Sequence, residues 1–269
     1  MAISGRRGFE MTDRRIILEK TGNCRQLGGL VTSDGRTIKK DCLLRSANLN
    51  RTSERDLEIL CNQHRLKTVV DLRTNGEIRE KPDVDSPMFE YRHMPIFDDS
   101  IFGLTHERSN EERKGKRNPV NLVKLYTYMV SEEDYRANFG KALSLIMSND
   151  FSKGSVLWHC SEGKDRCGMT AAFLLTALGV DRSVIIDDYL MTNETNGPKA
   201  EYYHDLVMKE EGDEELAEMV RNVFLAKREY IETAIRVIER DYGSMDNYLT
   251  KGLFIDPDVI ERFRESVLE

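Results

Sequence analysis

Two apolar stretches flank a polar loop between Gly154 and Gly179, and the rest of the pattern reads outward from them. Residues 155–158 form a short apolar run with Val156 and Trp158, which predicts a buried strand. Residues 168–178 are apolar or small on nearly every side, which predicts a helix buried all round. A Val-rich strand is predicted at 68–72, then a polar turn at 73–76 and a helical segment that Pro82 stops. Further strands are expected at 41–45 and 89–96, with a short edge strand at 16–18 and a Gly-containing loop at 24–30. Asp34-Gly35 marks a turn between short strands.

Helical spacing predicts 53–65, with Ser53 as N-cap, then 120–130, 135–147 and 184–191. A turn at 193–198 is expected to end the last of these, ahead of a short helix at 202–208. Val220, Phe224, Ile231, Ile235 and Ile238 fall on one face of a long amphipathic helix predicted over 214–240, with Gly243 as its stop. A closing helix is predicted at 257–268. Strands alternating with helices predict an α/β fold: a single domain whose central, mostly parallel sheet is flanked by helices on both faces. A charged stretch at 97–118, with His106, Arg108, Arg113, Lys114, Lys116 and Arg117, interrupts the alternation. It reads either as a solvated surface insertion or as a basic lid over an anionic substrate.

The loop at 159–166 carries the chemistry. A thiol, Cys160, sits where a central strand turns into a central helix, and Arg166 follows five residues further on. Backbone N–H groups of such a loop, with those of the helix start, favour an anion and lower a thiol's pKa. The Arg166 guanidinium matches two phosphate oxygens. Thiolate, phosphate cradle and guanidinium are the equipment for phosphoryl transfer to cysteine. A His-Cys-x5-(Lys/Arg) pattern arises by accident about 0.01 times in a chain of this composition. A buried structural cysteine is the plainer alternative, but Lys164, Asp165 and Arg166 would then have to share the burial, at a high cost.

The run His159-Cys160-Ser161-Glu162-Gly163-Lys164-Asp165-Arg166 resembles the signature of cysteine-dependent protein tyrosine phosphatases, in the bacterial and fungal branch whose loop reads His-Cys-x-x-Gly-Lys-Asp-Arg-Thr-Gly. Asn23-Cys24-Arg25-Gln26-Leu27-Gly28-Gly29, Leu43-Leu44-Arg45-Ser46-Ala47, Val69-Val70-Asp71-Leu72-Arg73 with Glu77, and Asp188-Tyr189-Leu190 also match segments of that branch. The resemblance implies a phosphatase domain over 23–269, with 1–22 as an extension. It implies phosphotyrosine substrates, with phosphoserine, phosphothreonine or phosphoinositides as further possibilities in the branch. Cys160 would be the nucleophile, Arg166 the phosphoryl clamp and Asp165 the general acid, with Asp98 or Asp99 as the alternative acid. Ser161, Glu162, Gly163 and Lys164 would line the phosphate site, Lys164 as a point charge. His159, Arg25, Asp71 and Arg73 would support it.

Two departures stand out. Cys167 occupies the position of a hydroxyl residue that hydrogen-bonds the nucleophile, and a thiol is the weaker donor. Slower breakdown of the phosphoenzyme, or a Cys160–Cys167 disulfide under mild oxidation, would follow. Glu162 stands where small residues are usual and would oppose highly anionic ligands, which favours phosphoprotein over phosphoinositide.

Composition narrows the rest. A net charge of −7 in 269 residues argues against non-specific nucleic-acid binding. No run is long and apolar enough to span a bilayer, and the first twenty residues lack the apolar core of a secretory signal. Five cysteines without a Cys-x-x-Cys pair predict free thiols in a reducing, cytoplasmic setting, or export by a route without a recognisable signal peptide. The five histidines show no His-x-x-x-His spacing, so no metal or cofactor is expected. The expected partner is a phosphorylated protein or a phospholipid. A non-catalytic phosphate-binding module is the competing class.

Overall fold

The structure, a computed structural model, describes residues 14–99 and 121–269. All but the first residues of the charged 97–118 insertion therefore lie outside the described residues. A five-stranded sheet runs in the order β1 (Arg25–Gln26), β2 (Leu43–Ser46), β5 (Ser155–His159), β3 (Leu66–Asp71), β4 (Glu90–His93). Pairing is parallel except between β1 and β2. Leu157 of the middle strand faces Leu44 on one side and Val69 on the other.

The two-residue period divides the sheet cleanly. Leu44, Val69 and Leu157 pack with Leu49, Leu60 and Leu66 under α1 (Glu54–Glu58) and its continuation Ile59–Gln63. Leu43, Val70, Val156 and Trp158 point the other way into the larger core. That core is closed by α3 (Leu122–Ser131), α4 (Glu133–Met147), α5 (Asp165–Ala177), α6 (Arg182–Leu190), α9 (Arg228–Tyr242) and α10 (Pro257–Val267). With both faces covered, every position of β5 is buried. Full burial of such aliphatic side chains contributes about 1.5–3 kcal/mol each. The expected single-domain α/β architecture is the one observed. Among the described residues no helix is long and apolar enough to cross a membrane.

Local signals held where they were chemical. Ser53 caps α1 in a reciprocal capping box with Asp56, and Thr74 does the same for α2 (Asn75–Glu80) with Glu77. Gly35 (φ 88°) turns between Val31 and Thr37, and Gly243 (φ 80°) ends α9.

Four expectations are corrected. Residues 16–18 form no strand; instead Arg15 makes a single bridge to Arg25, and Arg25–Gln26, expected in a loop, is the antiparallel edge strand. Strand β4, Glu90–His93, is shorter than the strand expected over 89–96. The turn expected at 193–198 is helical: α7 spans Thr192–Glu210 with Pro198 inside it. The long helix expected over 214–240 is two helices, α8 (Glu214–Phe224) and α9, separated by extended backbone at Leu225 and Lys227. These last two corrections share one cause. Asn193 pairs with both backbone groups of Ala226, at 2.7 and 2.8 Å, and Asn196 donates to Phe224 O. Lys164 donates to the carbonyls of Val223 and Leu225, which an unbroken helix would have used itself. Partners remote in sequence thus satisfy the break, and hydrophobic spacing carries no trace of them.

Candidate active site

Strand β5 ends at His159 and α5 begins at Asp165, so residues 160–164 form the connection at the carboxyl end of the central strand. Its carbonyls are taken from behind. Ser161 O accepts from Asn48 N (3.1 Å) and Asn48 Nδ2 (2.8 Å), Glu162 O from Asn23 Nδ2 (3.0 Å), and Gly163 O from Asn23 Nδ2 (3.0 Å) and an Arg45 amino nitrogen (2.8 Å). In a trans peptide the N–H points opposite to the C=O. The N–H groups of Glu162, Gly163 and Lys164 therefore face away from these donors, forming the concave, anion-favouring side. Gly163 (φ 66°) is required here, because a Cβ would stand 2.6 Å from Ser46 O.

Cys160 opens the loop and is buried. Burial pushes its thiol up, but hydrogen bonding from Cys167 and the charge of Arg166 more than reverse this, leaving it at about 6. Cys167, fully buried, moves the other way: burial and the neighbouring Cys160 sulfur raise it well above the ordinary thiol value. The Cys167 thiol also lies 3.7 Å from Ser46 O and 3.9 Å from Trp158 O, so two backbone acceptors share its one proton with the Cys160 sulfur. Both cysteines are free.

Arg166 is held by Glu77 in a two-point contact of 2.6 and 2.5 Å. Ser161 Oγ donates to the same carboxylate at 2.6 Å, and Thr74 N donates to it at 2.8 Å through the capping box. Although burial alone would raise Glu77, Arg166 holds it down to about 2, so the pair stays ionised. The guanidinium also lies over the Phe97 ring, 5.5 Å from its centroid.

Behind the loop, Arg14, Arg25 and Arg45 converge on one buried carboxylate, Asp188, at 2.7, 3.3 and 2.9 Å. Arg25 also donates to Asn23 Oδ1 at 2.6 Å, so it orients the amide that carries Glu162 O and Gly163 O. Arg45 is lowered to about 10 by burial and by Arg25, against the pull of Asp188 and of the two sulfurs.

His159 is fully buried, with Nε2 3.0 Å from Asp83 and Nδ1 3.8 Å from Asp71. Burial disfavours its charge, but the two carboxylates outweigh this and raise its pKa. Asp71, Asp83 and His159 present ligand atoms within 4.8 Å of one another, the geometry of a small metal site. Arg73 already bridges the two carboxylates at 2.7 and 2.8 Å, so the cation among them is a guanidinium.

The structure brings Cys160, Ser161, Asp165, Arg166 and Cys167 together and sets His159, Arg25, Asp71 and Arg73 behind them. Lys164 is placed differently from expectation. Its ammonium is wholly buried, 2.5 Å from Val223 O and 3.4 Å from both Leu225 O and Asp165. It staples the loop to the α8–α9 break instead of reaching for a phosphate. The expected cost of burying Lys164 and Arg166 is real and is met by these partners. Glu162 is not a free rim charge either, since Lys199 of α7 contacts both its oxygens, at 2.6 and 2.8 Å. Of the alternative acids, Asp99 accepts from Gly76 N and pairs with Arg79 on the surface. Asp98 lies near Tyr135, whose pKa it helps to raise after burial.

Several supporting residues escaped the sequence reading. Asn23, Arg45 and Glu77 stand inside segments that carried the family resemblance, whereas the Asp188 carboxylate, on a face read as solvated or arginine-pairing, is the arginine-pairing one. Asn48, Asp83 and Lys199 left no local signal.

A family profile described as "Tyrosine phosphatase family" matches residues 16–269. A protein of Cupriavidus necator that carries the name of a tyrosine-protein phosphatase is 27% identical over 242 residues, covering 90% of this chain and 85% of the relative. The triple specificity protein phosphatase PtpB of Mycobacterium tuberculosis is 26% identical over 264 residues, covering 88% and 95%. A tyrosine-protein phosphatase of Nostoc commune is 27% identical over 157 residues, covering 58% and 49%.

Proposed function

Since this chain belongs to the tyrosine phosphatase family, we propose that it hydrolyses phosphate monoesters, phosphotyrosine foremost, through a cysteinyl-phosphate. The observation that carries the reading is a buried cysteine held near 6, beside an arginine locked in place by Glu77. At neutral pH the Cys160 thiolate attacks phosphorus while the N–H groups of the loop and Arg166 hold the equatorial oxygens. The ester P–O bond breaks, and Asp165 gives its proton to the leaving oxygen. The Asp165 carboxylate then takes a proton from water, whose oxygen attacks phosphorus. The P–S bond breaks, phosphate departs and the electron pair returns to sulfur. The Cys167 thiol donates to that sulfur, as a hydroxyl would more strongly.

A second reading extends the substrate class to phosphoserine, phosphothreonine and phosphoinositides. The Glu162–Lys199 pair favours it, because the rim carboxylate that would repel a polyanion is neutralised. One relative is named for triple specificity. Five free thiols suit a reducing, cytoplasmic setting.

The test is a panel of phosphotyrosine, phosphoserine and phosphoinositide substrates on wild type and Cys160→Ser, without added metal. Phosphotyrosine turnover that vanishes in Cys160→Ser is expected. Binding of phosphopeptide with no turnover by the wild type would instead make the chain a phosphate-binding module.

A further inference from the structure

Asp165, the general acid of the proposed reaction, is tied into a chain of buried phenols, and the role of those phenols rests on that assignment. Asp165 opens α5, and its Oδ1 accepts a 2.7 Å hydrogen bond from the hydroxyl of Tyr126 on α3. The Tyr126 oxygen lies 2.6 Å from the hydroxyl oxygen of Tyr189 on α6. A phenol has one proton, and while Asp165 is ionised that of Tyr126 goes to Oδ1, so in that state Tyr189 supplies the proton of the second bond. The chain of donation runs in one direction, Tyr189 to Tyr126 to Asp165. Both phenols are buried and their rings meet edge-on, with centroids 6.1 Å apart.

Burial and the Asp165 charge push both tyrosines well above the ordinary phenol value, so both remain donors across any working pH. Other groups facing Asp165 include Lys164, 3.4 Å from the same Oδ1, Cys160 in the loop, and Tyr230 on α9, itself raised to about 12 by burial and by Asp165.

We propose that Tyr126, backed by Tyr189, is a positioning residue for the general acid: it keeps Oδ1 as an acceptor and so confines the transferable proton of Asp165 to Oδ2. A proton on Oδ1 would have to displace the Tyr126 donor. When the ester bond breaks, the Oδ2 proton passes to the leaving oxygen and its electron pair stays on the carboxylate. The Tyr126 hydrogen bond strengthens as that charge develops. In the second step the same oxygen, Oδ2, receives the proton from water. Two buried tyrosines would thereby fix the direction of proton transfer.

Leaving-group dependence tests this. Aryl phosphates spanning activated to unactivated leaving phenols are turned over by wild type, Asp165→Asn and Tyr126→Phe, with kcat followed against pH. Loss of a general acid lowers kcat about 10²–10⁴-fold for poor leaving groups and little for activated ones, which is the pattern expected of Asp165→Asn. Tyr126→Phe should show it in milder form: kcat about 10-fold lower on the least activated ester, as for one lost hydrogen bond, with KM and the activated ester nearly unchanged. Its basic limb should move to higher pH, because a donor that stabilised the carboxylate is gone. Uniform loss across all leaving groups, or an unmoved basic limb, while Asp165→Asn keeps its dependence, overturns the role of Tyr126 and leaves the acid assignment intact. Absence of leaving-group dependence in Asp165→Asn overturns both. Should Tyr126→Phe fail to fold, Tyr189→Phe is read in its place. A smaller upward shift of the basic limb supports the relay, and no shift overturns it.

Discussion

Two buried clusters of arginine and carboxylate sit on opposite sides of the same loop, and they are built to different ratios. On the substrate side one guanidinium, Arg166, meets one carboxylate, Glu77, and the pair is neutral. On the scaffold side three guanidiniums, Arg14, Arg25 and Arg45, share the single carboxylate of Asp188. The first cluster holds a clamp in one plane without adding net charge where the phosphate must enter. The second carries excess positive charge behind Gly163, and that charge is directed at fixed acceptors: Gly163 O takes one donor from Arg45, and Gln26 O and Asp188 O take others from Arg14 and Arg25. A buried ion pair thus serves orientation in one place and loop shape in the other.

The largest effect should come from the scaffold cluster. Asp188→Asn leaves three buried guanidiniums without a counter-charge and is expected to cost about 3–5 kcal/mol of stability, read by denaturant unfolding, with kcat of the folded fraction nearly retained. A stable Asp188→Asn enzyme with collapsed kcat would reverse the division of roles. Glu77→Gln attacks the other cluster. It frees Arg166 from its plane, and kcat/KM should fall on the order of 10²-fold, as for loss of a preorganised donor, with a smaller loss of stability. If its stability falls as far as that of Asp188→Asn while turnover survives, the two clusters are not different in kind.

The third effect is a shift in pH. Cys160 must be ionised to attack, and with its thiol held at about 6 the kcat/KM profile should lose activity as pH falls through that value. The Cys167 hydrogen bond is one of the causes that lower it, so Cys167→Ala should move the acid limb upward, toward the ordinary thiol value. An unmoved limb would assign the effect to Arg166 and the loop dipoles instead. The smallest effect expected is a gain. Cys167→Thr restores a hydroxyl donor to the departing sulfur, and turnover should rise about 2- to 5-fold, in proportion to a slightly stronger hydrogen bond. Rapid-quench measurement of phosphoenzyme decay checks it directly, and decay no faster than in the wild type counts against the thiol as the slow step.

The amino-acid sequence by itself determined the α/β alternation, the buried β5, the N-cap at Ser53, the glycine stop at Gly243 and the constellation Cys160–Arg166. Each is a local matter: two-residue and helical periods, a side chain reaching its own backbone, a strand leading into a helix. The tertiary structure alone decided what the charged residues around that constellation do. Lys164 became a staple, Glu162 a partner of Lys199, and Asp165 the end of a tyrosine chain, because burial forces every polar group to find a partner and the partners lie 37 to 61 residues away. The same rule broke the long helix predicted over 214–240. Hydrophobic period records which side of a helix is buried, but it does not record which carbonyls a distant lysine and asparagine will claim.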